Sequence, residues 1–285
     1  MRLEGAKCLI TGCSSGLGRA TAIALAKAGS RVWATARRLQ TIEDLAAHGL
    51  ELAELDVRDA DGIRKVVGNI AGVDVLINNA GYGLYGAVEE VADHELFEQF
   101  DTNFFGPWRL CREVLPGMRN QKRGIIANIS SFAGVVPFAG GAPYRTSKFA
   151  LEGLSGCLHF EVARFGIRII CFEPGNIATD FAPRSMRFAQ AISPTSPYNE
   201  MRAAVERAFP KMCPTAMPAS EAAQVIVAEM AKESGPLRVP IGPDAEHILK
   251  IAQHDDGAYE EYVVKELRFD WHPSSGGATH RQSKD

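Results

Sequence analysis

Short apolar runs alternate along the chain with longer segments in which apolar residues recur at helical spacing. The apolar runs predict β-strands at residues 8–10, 31–36, 50–55, 74–77, 124–129, 168–172 and 237–239. Helices are predicted between them, at residues 17–28, 39–48, 59–70, 93–118, 144–164 and 219–232. This order is typical of an α/β protein with a doubly wound parallel sheet and helices on both faces.

The regular alternation breaks down between residues 178 and 218, a stretch that contains six prolines. A long irregular segment inside a compact domain is usually functional or disordered, so we predict that this one is a substrate lid. We predict a single domain over residues 1–245 that carries the functional site, followed by a C-terminal extension over residues 246–285. Its last residues, 273–285, are polar and predict a flexible tail.

Three glycines lie between the first predicted strand and the first predicted helix: Gly12, Gly16 and Gly18. Glycines at such a turn let the backbone approach a pyrophosphate, whose charge is stabilised at a helix N-terminus. The G-x-x-x-G-x-G spacing is a weak signal by itself, and its position after a strand and before a helix strengthens it. The same turn also contributes Ser14, Ser15 and Leu17.

The second predicted strand ends at Ala36 and is followed by Arg37 and Arg38. In NAD-binding folds an acidic residue near this point binds the ribose 2′-hydroxyl, and this chain has none there. A guanidinium matches the geometry of a phosphate, so the pair predicts a 2′-phosphate and favours NADP(H) over NAD(H). The alternative is a solvated loop of basic residues.

Tyr144 and Lys148 lie four residues apart, and Ser131 precedes the tyrosine by thirteen residues. On a helix, residues four apart project from the same face, so the Lys148 ammonium can lie beside the Tyr144 phenol. A neighbouring cation lowers the pKa of a tyrosine from its ordinary value of about 10. Such a phenol could exchange a proton with an alcohol or ketone oxygen that Ser131 also binds. Taken alone, such a pair is more often an ordinary exposed pair on a helix than a catalytic one.

Polar and glycine motifs follow one predicted strand after another, and ligands of such sheets bind at the carboxyl ends of the strands. The motifs are Thr11-Gly12-x-x-x-Gly16-x-Gly18, Asp56, Asn78-Asn79-Ala80-Gly81, Asn103, Ser131, Tyr144-x-x-x-Lys148 and Pro174-Gly175. Together they resemble the short-chain dehydrogenase/reductase family, in its single-domain branch with a Rossmann-type sheet, over about residues 5–245. The architecture with a C-terminal tail resembles the hydroxysteroid and retinol dehydrogenase-like members of that family.

The resemblance implies a role for each matching residue. Tyr144 would be the catalytic acid/base, and Ser131 would hold the substrate oxygen. Lys148 would lower the pKa of Tyr144 and bind the nicotinamide ribose, and Asn103 would hold a water in a proton relay. Tyr144 and Lys148 would also contact the cofactor, and the other cofactor contacts would be Gly12, Ser14, Ser15, Gly16, Leu17, Gly18, Arg37, Arg38, Asp56, Val57, Asn79, Ala80, Gly81, Pro174, Gly175, Ile177 and Thr179.

The function we expect is hydride transfer between NADP(H) and a ketone, an aldehyde or a secondary alcohol. A lid rich in apolar residues, among them Phe181, Met186 and Phe209, favours a hydrophobic substrate. One alternative is a sensor or scaffold that binds NADP(H) without turnover. Another is a sugar-nucleotide epimerase or dehydratase, although that branch usually has a different glycine spacing and a longer substrate domain.

Composition limits the other possibilities. A net charge of −3 gives no general argument for binding nucleic acid, and the apolar runs are too short for a membrane span. The six scattered cysteines contain no C-x-x-C, so we expect reduced thiols in a cytoplasmic protein. The seven histidines show no metal-binding spacing, so no metal is expected. The helices predicted at 93–118 and 144–164 resemble the pair that forms dimers in the family, which implies a homodimer or tetramer.

Overall fold

The computed structural model describes residues 2–179, 184–252 and 256–272. The strands are β1 (Lys7–Ile10), β2 (Arg31–Ala36), β3 (Glu51–Glu54), β4 (Val75–Asn78), β5 (Gly83–Tyr85), β6 (Gly124–Ile129), β7 (Ile167–Pro174), β8 (Ile177–Ala178), β9 (Met186–Phe188), β10 (Met217–Pro218) and β11 (Arg238–Ile241). The α-helices are α1 (Gly16–Lys27), α2 (Ala60–Ile70), α3 (Asp93–Phe100), α4 (Gly106–Gln121), α5 (Ala142–Val162), α6 (Asn199–Met212), α7 (Ala219–Ala231), α8 (Pro243–Ala252) and α9 (Asp256–Glu261). Within these described ranges, no helix is both long and apolar enough to cross a bilayer.

Seven strands form one parallel sheet in the order β11–β7–β6–β4–β1–β2–β3. The order reverses at β1, which pairs with β2 on one side and with β4 on the other. At such a reversal the chain leaves the two neighbouring strands in opposite directions and opens a crevice beyond their carboxyl ends. The predicted doubly wound sheet is confirmed, and its crevice lies where the sequence motifs follow the strands.

Helices cover both faces of the sheet because each presents an apolar stripe. Leu25 of α1 and Ile226 of α7 are fully buried against one face. On the other face, α2, α4 and α5 bury a second core. In α2 this stripe consists of Ile63, Val66 and Ile70, at the spacing of one helix face. The helix begins after Asp59, whose side chain accepts a hydrogen bond from the Asp61 amide at 3.0 Å.

The predicted helix at residues 39–48 is wrong. The segment forms two short 3₁₀ turns, Leu39–Thr41 and Glu43–His48, which are separated at Ile42. The Ile42 backbone leaves the helical region, at φ −131° and ψ 5°, and its side chain is fully buried in the core. Tertiary packing therefore overrides the helix propensity of this segment.

The predicted helix at residues 93–118 is interrupted by one π-helical turn. Helix α3 passes into Asp101–Phe105, a π turn, and α4 continues from Gly106. Single π turns inside helices are frequent at functional sites, because the extra residue changes the direction in which a side chain projects. Here the turn contains Asn103, which is buried.

The lid and the C-terminal extension share a third core. Helix α6 contributes Met201 and Met212 to it, and the extension contributes Ile248 and Leu249 together with aromatic side chains. The predicted boundary at residue 245 falls within α8, and the division into domains stays a prediction. Residues 180–183 of the predicted lid and the predicted tail at 273–285 lie outside the described residues.

Two buried carboxylates, those of Glu152 and Glu173, lie close to the same arginine, Arg238 of β11. Glu173 is 3% exposed, and Arg238 Nε lies 3.7 Å from its Oε1 while donating to Glu152 Oε2 at 2.9 Å. Cys171 Sγ lies 3.0 Å from the other Glu152 oxygen. Burial, helped by the negative charge of Glu152, raises the pKa of Glu173 from its ordinary value of 4.5 to about 7.

This raised pKa predicts a pH-dependent stability. Between pH 4.5 and about 7 the folded protein holds a proton on Glu173 that the unfolded chain has released, so stability falls as pH rises through that window. In Glu173→Gln the free energy of unfolding should fall less over this pH window, by on the order of 1–3 kcal/mol. Urea unfolding at a series of pH values measures the difference. Parallel stability curves for the wild type and the variant would contradict the assignment.

Candidate active site

A cavity of about 420 Å³ opens at the carboxyl ends of the strands, where the sheet order reverses. Nearly all of the predicted site residues line it. They are Gly12, Ser14, Ser15, Gly16, Leu17, Gly18, Arg37, Asp56, Val57, Asn79, Ala80, Gly81, Ser131, Tyr144, Lys148, Pro174, Gly175, Ile177 and Thr179. Two predicted residues, Arg38 and Asn103, do not belong to its lining.

The glycine turn presents the open N-terminus of α1 to the cavity. Ser15 is the N-cap residue but its side chain makes no capping bond, and the first turn contains no acidic residue. The first amide N–H groups of a helix carry partial positive charge and bind anions. This turn therefore has the chemistry that the sequence predicted for a pyrophosphate.

The loop after β4 holds the glycine turn in place. Thr11 Oγ1 accepts hydrogen bonds from the amides of Asn79 and Ala80, each at 3.0 Å. The Asn79 side chain donates to the carbonyl oxygens of Thr11 and Gly12, at 2.8 and 3.2 Å. Gly12 has φ +75°, and a Cβ there would lie 2.8 Å from Ala80 Cα, so only glycine fits this approach. Asn79 consequently supports the turn as well as lining the cavity.

The far end of the cavity is basic. Arg37 lines it directly after β2, whereas Arg38 does not. Asp56 is paired with Arg58, whose Nη2 lies 2.8 Å from Asp56 Oδ2, and this bond holds the pKa of Asp56 below its ordinary value. Arg58 also lines the cavity and was missed by the sequence analysis, although its place just after a strand-end aspartate was a usable signal.

Ser131, Tyr144 and Lys148 meet at the inner wall of the cavity. Ser131 follows β6, and its hydroxyl oxygen accepts a hydrogen bond from the Ala133 amide at 3.1 Å. The side chains of Ser131 and Tyr144 share a hydrogen bond. Lys148 lies one turn further along α5, with its Nζ 5.9 Å from the centre of the Tyr144 ring. The predicted i, i+4 arrangement therefore exists and faces the cavity rather than solvent.

The predicted lowering of the Tyr144 pKa is wrong for the protein described here. Burial raises the pKa of Tyr144 above its ordinary value, and the Ser131 hydrogen bond and the Arg145 charge offset only part of this. Lys148 is itself buried, which lowers its pKa to about 8, and its ammonium donates to the Ile129 carbonyl oxygen at 2.7 Å. Desolvation of the buried phenol therefore affects the pKa of Tyr144 more than the neighbouring positive charges do.

Asn103 lies behind the cavity wall and not in it. Its side-chain nitrogen donates to the Tyr82 carbonyl oxygen at 2.9 Å and to Ser147 Oγ at 3.1 Å. Its side-chain oxygen accepts from the Tyr82 amide at 3.1 Å. Asn103 therefore fixes the loop after Gly81, and its role in a water relay stays a prediction. Asn78, the last residue of β4, donates to Asn128 Oδ1 on β6 at 2.8 Å and supports the sheet.

The lid forms one wall of the cavity, and the sequence did not predict how this wall is positioned. Strand β9 of the lid pairs with β5, a short strand that no pattern predicted. Tyr85 at the end of β5 lies beside the catalytic candidates, with its ring centre 5.9 Å from that of Tyr144. Of the apolar lid residues, Met186 and Phe209 line the cavity, while Phe181 lies outside the described residues.

Comparison with known proteins agrees with this geometry. Residues 6–188 match the short chain dehydrogenase family. The chain is 43% identical to oxidoreductase claN of Passalora fulva over 181 residues, which cover 61% of this chain and 83% of that protein. It is 41% identical to retinol dehydrogenase 8 of Homo sapiens over 184 residues, 61% of this chain and only 59% of that protein.

A solved short-chain dehydrogenase from Streptomyces avermitilis has a TM-score of 0.82 and 36% identity, covering 94% of this chain and 98% of that one. The chain belongs to the short-chain dehydrogenase family. It is an oxidoreductase with a Rossmann-type fold.

Proposed function

We propose that this protein transfers a hydride between NADP(H) and a ketone, an aldehyde or a secondary alcohol. The observation that carries the proposal is that Ser131, Tyr144 and Lys148 share one cavity with the open glycine turn of α1. When bound, the nicotinamide cofactor supplies or accepts the hydride. The residues of this chain orient the substrate and give a proton to its oxygen or take one from it.

In the reducing direction, Tyr144 donates its phenolic proton to the substrate oxygen. The raised pKa keeps the phenol protonated at neutral pH before the step, but it also makes the phenol a weaker acid, so neighbouring groups must stabilise the phenolate. The Ser131 hydroxyl, already hydrogen-bonded to Tyr144, holds the same oxygen. The Lys148 ammonium, 5.9 Å from the phenol ring, stabilises the phenolate that remains.

NADP(H) fits the basic end of the cavity better than NAD(H) does. Arg37 and Arg58 both line this end, and Asp56, the acidic residue beside them, is already engaged by Arg58. Strand β2 ends at Ala36, so the side chain at the end of the strand cannot accept hydrogen bonds from a ribose diol. The Arg37 guanidinium would bind the 2′-phosphate, and the amides of the α1 turn would hold the pyrophosphate.

The cofactor preference gives a direct test. We expect Arg37→Ala to weaken NADPH binding by about 10- to 100-fold, the effect of losing one charge-assisted phosphate contact, with little change for NADH. The matched control is Arg38→Ala, which removes the same charge one residue further on and outside the cavity lining. Calorimetric titration with both cofactors measures the effect, and equal losses in the two variants would count against a 2′-phosphate site.

The substrate proposed is hydrophobic, because Phe132, Phe138, Val205 and Phe209 line the part of the cavity around Tyr144. Hydrophobic ketones and aldehydes offered with NADPH and with NADH test the activity through the loss of reduced-cofactor absorbance. Turnover of none of them would contradict the proposal. Tight NADPH binding without turnover would instead support the sensor or scaffold alternative.

The homodimer predicted from the sequence stays a prediction, as does the cytoplasmic location. One observation supports self-association: α4 and α5 leave large aromatic side chains exposed, including Trp108 at 47% and Phe160 at 83%. Exposed aromatic side chains on two helices are available to bury against a second copy of the chain. Light scattering of the purified protein measures the state.

A further inference from the structure

Arg145, the residue after Tyr144 on α5, is a buried cation in the wall of the cavity. It is only 8% exposed, and it belongs to the cavity lining. Its guanidinium lies 5.8 Å from the Phe132 ring centre and 5.6 Å from that of Phe138. A charged group is therefore embedded among the aromatic side chains that make the substrate end of the cavity apolar.

No carboxylate in the described ranges pairs with this guanidinium. Its Nη1 donates to the Val136 carbonyl oxygen, and the titratable groups around it are Tyr259, Tyr85, Tyr144 and Cys213. All four groups are neutral at neutral pH, because burial raises the pKa of each above an ordinary value that is already 9 or 10. The positive charge of Arg145 is consequently not balanced by the described residues around it.

Other largely buried arginines of the described chain are balanced. Arg168 pairs with Glu229 at 2.7 Å, and Arg202 pairs with Glu90 at 2.7 Å. Burying an arginine without an anionic partner is costly, and in proteins the guanidinium does not escape by losing its proton. Arg145 differs from these two arginines, and it lies in the wall of the cavity, where a substrate could supply the missing charge.

We propose that Arg145 binds an acidic group of the substrate, so that the preferred substrate is a hydrophobic keto acid or hydroxy acid. The planar guanidinium matches a carboxylate, and the single negative charge of a carboxylate balances the single charge of Arg145. The aromatic and aliphatic residues around it bind the carbon chain, and Tyr144 faces the reacting oxygen. The proposal rests on the proposed function and narrows its substrate class. Arg145 acts as a specificity-determining residue, and it neither gives nor accepts the transferred proton.

Paired substrates test this directly. A series of straight-chain keto acids, with the ketone progressively further from the carboxylate, is compared with the corresponding methyl esters. For the best chain length we expect kcat/KM of the wild type to favour the acid over its ester by about 10- to 100-fold, the size of one charge-assisted hydrogen-bonded contact. Arg145→Gln should abolish this preference through a higher KM for the acid, while turnover of the ester is retained. Arg145→Lys, which keeps the charge, should keep part of the preference.

Two results would overturn the proposal. One is a wild type that shows no preference for the acid over its ester. The other is an Arg145→Gln variant that loses acid and ester activity equally and melts at a lower temperature, which would mean that Arg145 only holds the Val136 loop. Lys65→Gln, at an exposed position on α2, controls for the loss of one positive charge.

A binding measurement separates this proposal from the proposed function. Octanoate and octanol are added to the protein without cofactor, and the melting temperature is recorded. We expect octanoate to stabilise the wild type and not Arg145→Gln, whereas octanol should not discriminate between the two. If no ketone is turned over but octanoate still discriminates, the proposed function fails and the anion site stands. If octanoate affects both proteins alike, the anion site fails whatever the activity.

Discussion

Tyr144→Phe is expected to lower kcat for ketone reduction by about 10²- to 10⁴-fold, the usual contribution of a positioned acid, with NADPH affinity nearly unchanged. The variant lacks only the phenolic oxygen, and its ring can still pack 5.9 Å from the Tyr85 ring as in the wild type. Stopped-flow absorbance of NADPH gives the rate, and calorimetric titration gives the affinity.

Tyr85→Phe is the matched control for this experiment. Tyr85 lines the same cavity and is also largely buried, but it is not hydrogen-bonded to Ser131. Removing its hydroxyl should change kcat by much less than removing that of Tyr144. Full activity in Tyr144→Phe, or an equal loss in both variants, would mean that Tyr144 is not the proton donor.

Gly18→Ala is expected to weaken cofactor binding strongly. A Cβ at this position would lie 2.2 Å from Asn79 Nδ2 and 2.5 Å from the Gly12 carbonyl oxygen. The Asn79 amide is bound to the Thr11 carbonyl oxygen at 2.8 Å, and the Gly12 oxygen belongs to the backbone, so no single side-chain rotation relieves the contact. Overpacking of this kind costs about 1–3 kcal/mol or more, and we expect NADPH affinity to fall by about 100-fold with a lowered melting temperature.

Gly68→Ala provides the comparison, because it introduces the same methyl group into an exposed stretch of α2. Nothing lies within 4 Å of a Cβ there, so the variant should bind NADPH normally and gain up to about 1 kcal/mol in the free energy of unfolding. If Gly18→Ala binds NADPH as tightly as the wild type, the glycine turn does not hold the pyrophosphate.

Local patterns predicted the sheet and most residues of the candidate site, for a physical reason. In a parallel α/β sheet the residues just after the strands reach one common edge, so motifs spread over the chain converge without further information. The i, i+4 spacing of Tyr144 and Lys148 depends only on helix geometry. The glycine turn likewise depends only on backbone conformation between one strand and one helix.

The wrong or missing predictions concern segments whose structure depends on contacts between residues far apart in the chain. Ile42 breaks a predicted helix because its side chain is drawn into the core, and no neighbour in sequence signals this. The extension joins the lid in a third core, held partly by Tyr259, whose hydroxyl donates to the Pro137 carbonyl oxygen at 2.7 Å. The Tyr259 contact joins residues 122 positions apart, and periodicity within one element cannot reveal such a contact.

The sequence by itself determined the fold class and most residues of the candidate site, because each follows from spacing within one or two elements, and its motifs carried the resemblance to the family. Only the tertiary structure decided how those residues behave. Whether Tyr144 holds its proton depends on how completely neighbouring elements exclude water from it, and the structure shows that burial raises its pKa. The same exclusion leaves Arg145 as a cation without an anionic partner in the described chain, a property that its position beside Tyr144 in the sequence did not reveal.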